Sequence, residues 1–175
     1  MQRVFRQKRL SRMLHGDYPD VSLRKKKQKV IDACKRSEQH GIEYAEDLFT
    51  VVGLHVNNEN LSYGTAVLCL FMQDRIDRYT LFECVRILAS YEHELIRDFV
   101  EGDPLKSAES GVLAFSGLYE IQYRPGYIET ITDEWDGDAI LEEMSGRKFV
   151  KGSALEFHVN AVGKALILAC NKDHG

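Results

Sequence analysis

The sequence predicts an α+β fold for a single domain that follows a basic N-terminal arm. A length of 175 residues suits one domain, and a hydrophobic content of 44% is enough for a sizeable core. Apolar residues at helical spacing are concentrated in the middle of the chain, whereas alternating, strand-like segments lie on either side. Helices and strands that are segregated along the chain are typical of the α+β class.

Three regions are expected in chain order. Residues 1–21 are predicted to form a flexible basic arm, because they contain Gly16 and Pro19 and too few apolar residues to pack. Residues 22–41 are predicted to form a basic helix, with Ser22 as its N-cap and Gly41 at its end. Residues 42–175 are assigned to the globular α+β domain.

The first half of the domain is predicted to contain one strand and two helices. Residues 48–56 are rich in β-branched and aromatic residues with partial alternation, which favours a strand. Residues 62–75 have the apolar pattern of a buried helix. Thr80 is predicted to cap one long helix that runs to about Val100, and Gly102 and Pro104 end it.

The second half of the domain is predicted to be mainly strands. Residues 112–123 and 127–132 are strand-like, and the sequence between them suits a turn. Asp138 is placed to cap a short helix over residues 139–144. Alternation predicts a strand over residues 155–159. Residues 165–170 are interpreted as its partner strand, with a buried helix as the alternative.

Charge is distributed unevenly along the chain. Residues 1–36 contain twelve Lys and Arg against three Asp, a net charge of +9, whereas the remainder has eleven Lys and Arg against 24 Asp and Glu, a net charge of -13. This asymmetry predicts an anionic partner for the arm, or docking of the arm on another copy. The residues predicted to bind the anionic partner are basic: Arg3, Arg6, Lys8, Arg9, Arg12, Arg24, Lys25, Lys26, Lys27 and Lys29.

Two kinds of anionic partner fit these charges. Each Lys or Arg near an anionic bilayer contributes on the order of 1 kcal/mol, so several contacts would hold the protein on a membrane. The apolar residues of the arm could insert into the same interface: Val4, Phe5, Leu10, Met13 and Leu14. The charges could equally neutralise nucleic-acid phosphates. A solvated helix face and a nuclear-import signal are the alternatives without such a role.

No catalytic or metal-binding motif is found in the sequence. His93 and Glu94 begin a pattern similar to a zinc protease motif, but Arg97 stands where the second His is required. Phosphate-binding and nucleophile-elbow patterns are absent. The four cysteines lack paired spacing, which favours a reducing compartment. We expect no enzymatic activity, no cofactor and no membrane-spanning segment.

A cluster of acidic residues surrounds Trp135. Its members are Asp133, Glu134, Asp136 and Asp138. Their order does not match a calcium-binding loop, so a solvated acidic loop is the simpler interpretation. These carboxylates are also the predicted acceptor for the basic arm of a neighbouring molecule. Such a head-to-tail contact would build open filaments or lattices.

Several short motifs occur in the same order as in a known family. They are Phe49-Thr50-Val51, Tyr63 with Ala66 and Val67, Met72, Ile87-Leu88-Ala89, Gly117-Leu118-Tyr119, Ile128-Glu129-Thr130, the acidic residues 133–138, Lys148-Phe149, Ala154-Leu155 with Phe157, Gly163 and Ala165. From about residue 47 onward, the chain resembles the matrix proteins of rhabdoviruses, most visibly the vesiculovirus type. It departs from them at Asp17-Tyr18-Pro19-Asp20, which lacks the tandem prolines of a late-domain motif. That departure fits a divergent member.

The resemblance implies an open, mainly antiparallel sheet packed by helices, and a structural role. It implies a virion protein that self-associates, condenses the viral nucleocapsid and links it peripherally to the membrane during assembly and budding. The expected locations are the virion, the host cytoplasm, the inner membrane face and the nucleus. The alternative functions are an RNA-binding regulator of viral or host gene expression and a small enzyme of unrecognised type.

Overall fold

The computed structural model describes residues 2–16, 20–36, 38–55, 57–109, 111–114, 116–123 and 155–170. Its helices are α1 (Gln2–His15), α2 (Asp20–Arg36), α3 (Glu38–Val52), α4 (Leu61–Met72), α5 (Arg78–Ser90), α6 (His93–Glu101), α7 (Pro104–Glu109) and α8 (Ala161–Cys170). A 3₁₀ turn, Asn58–Asn60, precedes α4. Strands β1 (Tyr119–Tyr123) and β2 (Leu155–Val159) pair antiparallel. The described chain is mostly helical with a small sheet, which is a mixed α+β fold.

Helix α4 lies at the centre of the fold. It contacts α2, α3, α5 and α8, and Val67, Leu68 and Met72 on it are buried. Gly64 permits a close approach to α3, because a Cβ there would lie 2.8 Å from the ring of Phe49. Each fully buried large apolar side chain contributes about 1.5–3 kcal/mol, so this helix organises the core. The helix predicted for residues 62–75 is confirmed as far as Met72.

Helix α1 differs from the flexible arm expected over residues 1–21. Leu10, Met13 and Leu14 lie at 1–3% exposure in the hydrophobic core. Their spacing places all three on one side of a helix, which packs against α3. The prediction of an unpacked arm is therefore wrong for residues 2–15. It failed because three well-placed apolar residues are enough to dock a helix that is otherwise polar.

The segment predicted as one basic helix and one strand forms two helices. The helix expected over residues 22–41 ends at Arg36, and α3 begins at Glu38. Gly41 lies inside α3, where a Cβ would come within 2.6 Å of Thr65 Cγ2, so this glycine serves packing against α4. The strand expected over residues 48–56 is wrong as far as Val52. In residues 48–52, tertiary packing outweighs the β propensity of the side chains, because α3 buries Leu48 in the core.

The single helix predicted from Thr80 to about Val100 is two helices. Helix α5 begins at Arg78 and is capped by Asp77, whose Oδ1 accepts a hydrogen bond from Thr80 N at 2.8 Å. The chain is extended at Tyr91 and Glu92 before α6 begins. The break allows α6 to turn its own apolar side chains inward, and Phe99 is fully buried.

The described sheet consists of two antiparallel strands. Tyr119 pairs with Val159 and Ile121 pairs with Phe157, so the strand predicted for residues 155–159 is confirmed. The strand predicted for residues 112–123 begins only at Tyr119, after turns. The segment 165–170 belongs to α8, the alternative that the sequence left open. Predictions for residues 127–132 and 139–144 lie outside the described residues.

Candidate anionic-surface interface

A buried carboxylate on α3 anchors the start of α1. The side chain of Asp47 has no exposed surface, and it accepts hydrogen bonds from Arg6 Nε and from Gln7 Nε2, the latter at 2.9 Å. Arg6 Nη1 also lies 2.7 Å from Glu43 Oε2, and Arg3 Nε lies 3.5 Å from Asp47 Oδ1. A buried charge is costly unless it is paired in this way. The anchor therefore fixes α1 on α3.

The anchor changes the roles of two residues that were predicted to bind a partner. Burial lowers the pKa of Arg6, but hydrogen bonds and charge from Asp47 and Glu43 outweigh it and raise that pKa above its ordinary value. Arg6 is thus held as a cation by the protein's own carboxylates. Arg3 contacts the same site, although its side chain stays 59% exposed. Both arginines attach α1 to α3, and this was not predicted from the sequence.

The opposite side of α1 forms a mixed cationic and apolar surface. We define the α1 face by five residues that share this side: Val4, Phe5, Lys8, Arg9 and Arg12. Val4 is 53% exposed and Phe5 is 63% exposed, and the three basic residues are exposed. The three cations make no ion pair with any residue that the structure describes. Spacing of about four residues aligns the five along one helical stripe.

The predicted inserting residues thus separate into two groups. Leu10, Met13 and Leu14 are part of the core and are unavailable to a partner. Val4 and Phe5 remain exposed, next to cations. An exposed Phe on a basic helix face is a feature of amphipathic helices that lie on anionic membranes.

The basic residues of α2 also divide by burial. Arg24, Lys25 and Lys29 are exposed, whereas Lys26 and Lys27 are partly covered. Lys27 pairs with Asp74, and its Nζ lies 5.8 Å from the centroid of the Phe71 ring. Helix α2 therefore presents most of its positive charge to solvent and directs Lys27 toward the end of α4.

The predicted acidic acceptor for self-association is not placed by the structure. Asp133, Glu134, Asp136 and Asp138 lie outside the described residues. Their contact with a neighbouring basic arm remains a prediction from charge.

A buried polar network surrounds the former candidate for a metal ligand, His93. Asn60 Nδ2 donates to the carbonyl oxygens of Leu88 and Tyr91 at 2.9 and 3.0 Å. Its Oδ1 lies 2.9 Å from His93 Nδ1, so the proton of His93 is on Nδ1. The ring of His93 stacks on Tyr63 at 5.2 Å between centroids. In the described part of the chain, no group of three potential metal ligands occurs.

The four cysteines, all within the described residues, are free and shielded from solvent to different degrees. Desolvation is the main cause that raises the pKa of Cys34, Cys84 and Cys170 to about 12, and it raises the pKa of Cys69 as well. A thiol with a raised pKa is protonated near neutral pH and is a poor nucleophile. Their placement is that of small core residues.

The site as a whole is a cationic, partly apolar helix surface that a buried ion pair holds on a helical body. Comparisons of the chain with family models, with curated proteins and with solved structures give no match. Among the described helices, none combines the length and the hydropathy needed to cross a membrane.

Proposed function

We propose that the protein is a non-enzymatic assembly protein of the viral matrix type, which attaches peripherally to an anionic membrane through the α1 face. The observation that carries the proposal is the exposure of Val4 and Phe5 beside Lys8, Arg9 and Arg12. Cations attract anionic headgroups at about 1 kcal/mol each. The apolar pair adds an attraction that salt does not screen, because it removes apolar surface from water.

The exposed apolar pair favours a membrane over RNA as the first partner. Phosphate contacts need cations but gain little from an exposed Val. A bilayer uses both the charges and the apolar side chains. The Asp47 anchor supports the same proposal, since a helix that is already folded on its body loses less conformational entropy on binding.

The wider role follows from the resemblance and from the charge asymmetry. A protein whose residues 1–36 are basic and whose remaining sequence is acidic can associate head to tail with copies of itself. In this role it would condense the nucleocapsid and link it to the inner face of the membrane during assembly. Salt-dependent self-association, measured by light scattering, tests this part separately from membrane attachment.

Sedimentation with vesicles tests membrane attachment. The full chain should bind vesicles that contain an anionic phospholipid and should ignore zwitterionic vesicles. The Arg9→Glu/Arg12→Glu variant should bind roughly thirtyfold more weakly or worse, since two favourable contacts are lost. Phe5→Ser should weaken binding by a factor that persists at high salt. Lys106→Glu/Lys164→Glu, with the same change in net charge on α7 and α8, is the matched control.

Three outcomes would contradict the proposal. The full chain could fail to bind anionic vesicles at low salt. The control variant could lose as much affinity as the α1 variant, which would show attraction by net charge alone. Saturable RNA binding through the α1 face, without lipid binding, would instead support the regulator alternative.

A further inference from the structure

A groove lies between α2 and the end of α4. Its volume is about 810 Å³, within the range of roughly 300–1,000 Å³ that is usual for small-molecule sites. Apolar side chains line part of it: Leu23 and Ile31 from α2, and Met72 from α4. Val21, which is 74% exposed, also lines it. The groove therefore offers apolar contact as well as polar contact to a ligand.

Two cations line the same groove. Arg24 is exposed, whereas only 15% of the Lys27 side chain is exposed. Most of the Lys27 side chain is covered by its neighbours, and the ring of Phe71 lies beside its ammonium. These contacts fix the position of Lys27. The ammonium of Lys27 is thereby held at the surface of the groove, where it pairs with Asp74.

The anion that Lys27 uses in this structure is easily replaced. Asp74 lies in the turn after α4 with a φ of 57°, a left-handed conformation that Asp tolerates better than most residues. Its side chain is 76% exposed, so the carboxylate would regain water at once on leaving Lys27. Exchange of this carboxylate for an external anion beside Lys27 therefore costs little.

We propose that this groove, the α2 groove, binds one anionic phospholipid. The lipid phosphate replaces Asp74 beside Lys27 and also contacts Arg24, while the first part of an acyl chain lies on Leu23 and Ile31. The inference rests on the proposed membrane function and adds a defined lipid site to it. A phospholipid is the occupant that uses both halves of the groove, since a nucleic-acid phosphate has no apolar part to cover Leu23.

Calorimetric titration of the full chain with dihexanoyl phosphatidylglycerol, kept below its micelle concentration, tests the site. Arg24→Glu should weaken binding by at least about fivefold, the equivalent of one lost cation–lipid contact. Lys25→Glu is the matched control, because it makes the same charge change one residue away and does not line the groove. It should alter binding by less than about twofold, since an exposed charge outside the site is screened.

Asp74→Asn gives a prediction of opposite sign. It removes the competing carboxylate and keeps a residue type that tolerates the left-handed conformation, so lipid binding should become tighter. Asp98→Asn, which removes another exposed carboxylate on α6, should have little effect. A gain that is confined to the anionic lipid and absent with dihexanoyl phosphatidylcholine does not arise from exposed core, so this variant remains informative if Arg24→Glu is poorly folded.

The outcomes distinguish a lipid headgroup from a free phosphate, and they distinguish failure of the α2 groove from failure of the α1 face. Equal binding of inorganic phosphate would show an anion site without lipid specificity and would overturn the inference. So would equal binding of dihexanoyl phosphatidylcholine, or equal losses in Arg24→Glu and Lys25→Glu. If the short-chain lipid fails to bind while the full chain still sediments with anionic vesicles, the groove inference fails and the α1 face stands. If the short-chain lipid binds but the full chain does not sediment with anionic vesicles, the α1 face fails and the groove inference stands.

Discussion

The N-terminal layer, which is α1 and α2, and the body, which is α4, α5, α6, α8 and the β1–β2 sheet, are held in the fold by different kinds of contact. The body is built on a continuous apolar core in which Leu68, Leu81 and Leu166 have no exposed surface. Helix α1 contributes three apolar residues and otherwise depends on charges, chiefly Arg6 against buried Asp47. A basic segment can therefore use some of its cations to attach itself to the fold and keep others exposed for a partner.

The largest expected effect comes from truncating the body. Phe99 is fully buried on α6 and packs edge to face on Tyr119, with ring centroids 5.7 Å apart. Phe99→Ala should lower the free energy of unfolding by about 3–5 kcal/mol. Urea denaturation followed by circular dichroism measures this loss.

Leu10→Ala measures, for the N-terminal layer, the same loss of unfolding free energy that Phe99→Ala measures for the body. Leu10 is 1% exposed, so its truncation would ordinarily cost about 2–5 kcal/mol. The cost to global unfolding should be smaller than for Phe99→Ala, because α1 can detach locally while the body stays folded. Equal losses of stability in the two variants would show that α1 and the body unfold as one unit, which would contradict local detachment of α1.

The ion-pair anchor should give the next largest effect. Arg6→Ala leaves the buried Asp47 carboxylate with fewer donors, which should cost about 1–3 kcal/mol and speed hydrogen exchange throughout α1. Arg9→Ala removes an exposed cation from the same helix and should stay within about 0.5 kcal/mol of the unmodified chain.

A double-mutant cycle isolates the anchor from other effects of the Arg6 change. In Arg6→Ala/Asp47→Asn, the uncompensated charge is gone, so the combined loss should be smaller than the sum of the two single losses. Additive losses would mean that Arg6 and Asp47 contribute independently, and the anchor would then be absent in solution.

The sequence predicted the body better than the N-terminal layer, for a physical reason. Residues 62–75 contain a dense apolar run, and residues 155–159 alternate strictly, so local pattern and tertiary packing agree in both segments. In α1, only Leu10, Met13 and Leu14 carry the helical pattern among many charges. In α3, β-branched Val51 and Val52 favoured a strand, and packing of Leu48 on the core overrode that preference.

The candidate site was predictable as a charge but not as a surface. Composition identifies the basic residues, yet nothing local distinguishes Arg6, which faces Asp47, from exposed Arg9. The available signal was Asp47 itself, directly before the apolar Leu48 and Phe49. An acid in an otherwise core-facing stretch implies a cationic partner, but its identity depends on how α1 crosses α3.

A smaller effect should appear at alkaline pH. Desolvation, followed by the charge of Glu101, raises the pKa of Tyr63 to about 12, while an unfolded Tyr titrates near about 10. Between these values the unfolded chain releases its proton first, so stability should fall as pH rises from about 10 to 12. The anchor residue Arg6, with its raised pKa, stays charged over this range.

Tyr63→Phe tests the alkaline prediction and keeps the ring that stacks on His93. The variant should lose less stability than the unmodified chain between pH 9 and 11 in urea titrations, which lie on either side of the ordinary Tyr pKa of about 10. Part of the slope should remain, because burial also raises the pKa of Tyr119 to about 12 and that of Cys34, Cys84 and Cys170 to the same value. Parallel curves for the two proteins would contradict a role for Tyr63.

The smallest expected effect is at the N-terminus of α5, where a surface carboxylate serves the body as a cap. Hydrogen bonds from the side chain and the backbone N–H of Thr80 lower the pKa of Asp77. Its contribution is complete above the ordinary Asp pKa of about 4 and is lost as pH falls through the lowered value. Asp77→Asn keeps an acceptor for Thr80 N, so its stability should depend less on pH below 4 than that of the unmodified chain. Because Asp77 is exposed, water replaces much of what the cap loses. An acid transition that is as steep in Asp77→Asn as in the unmodified chain would contradict a role for the cap in the pH dependence.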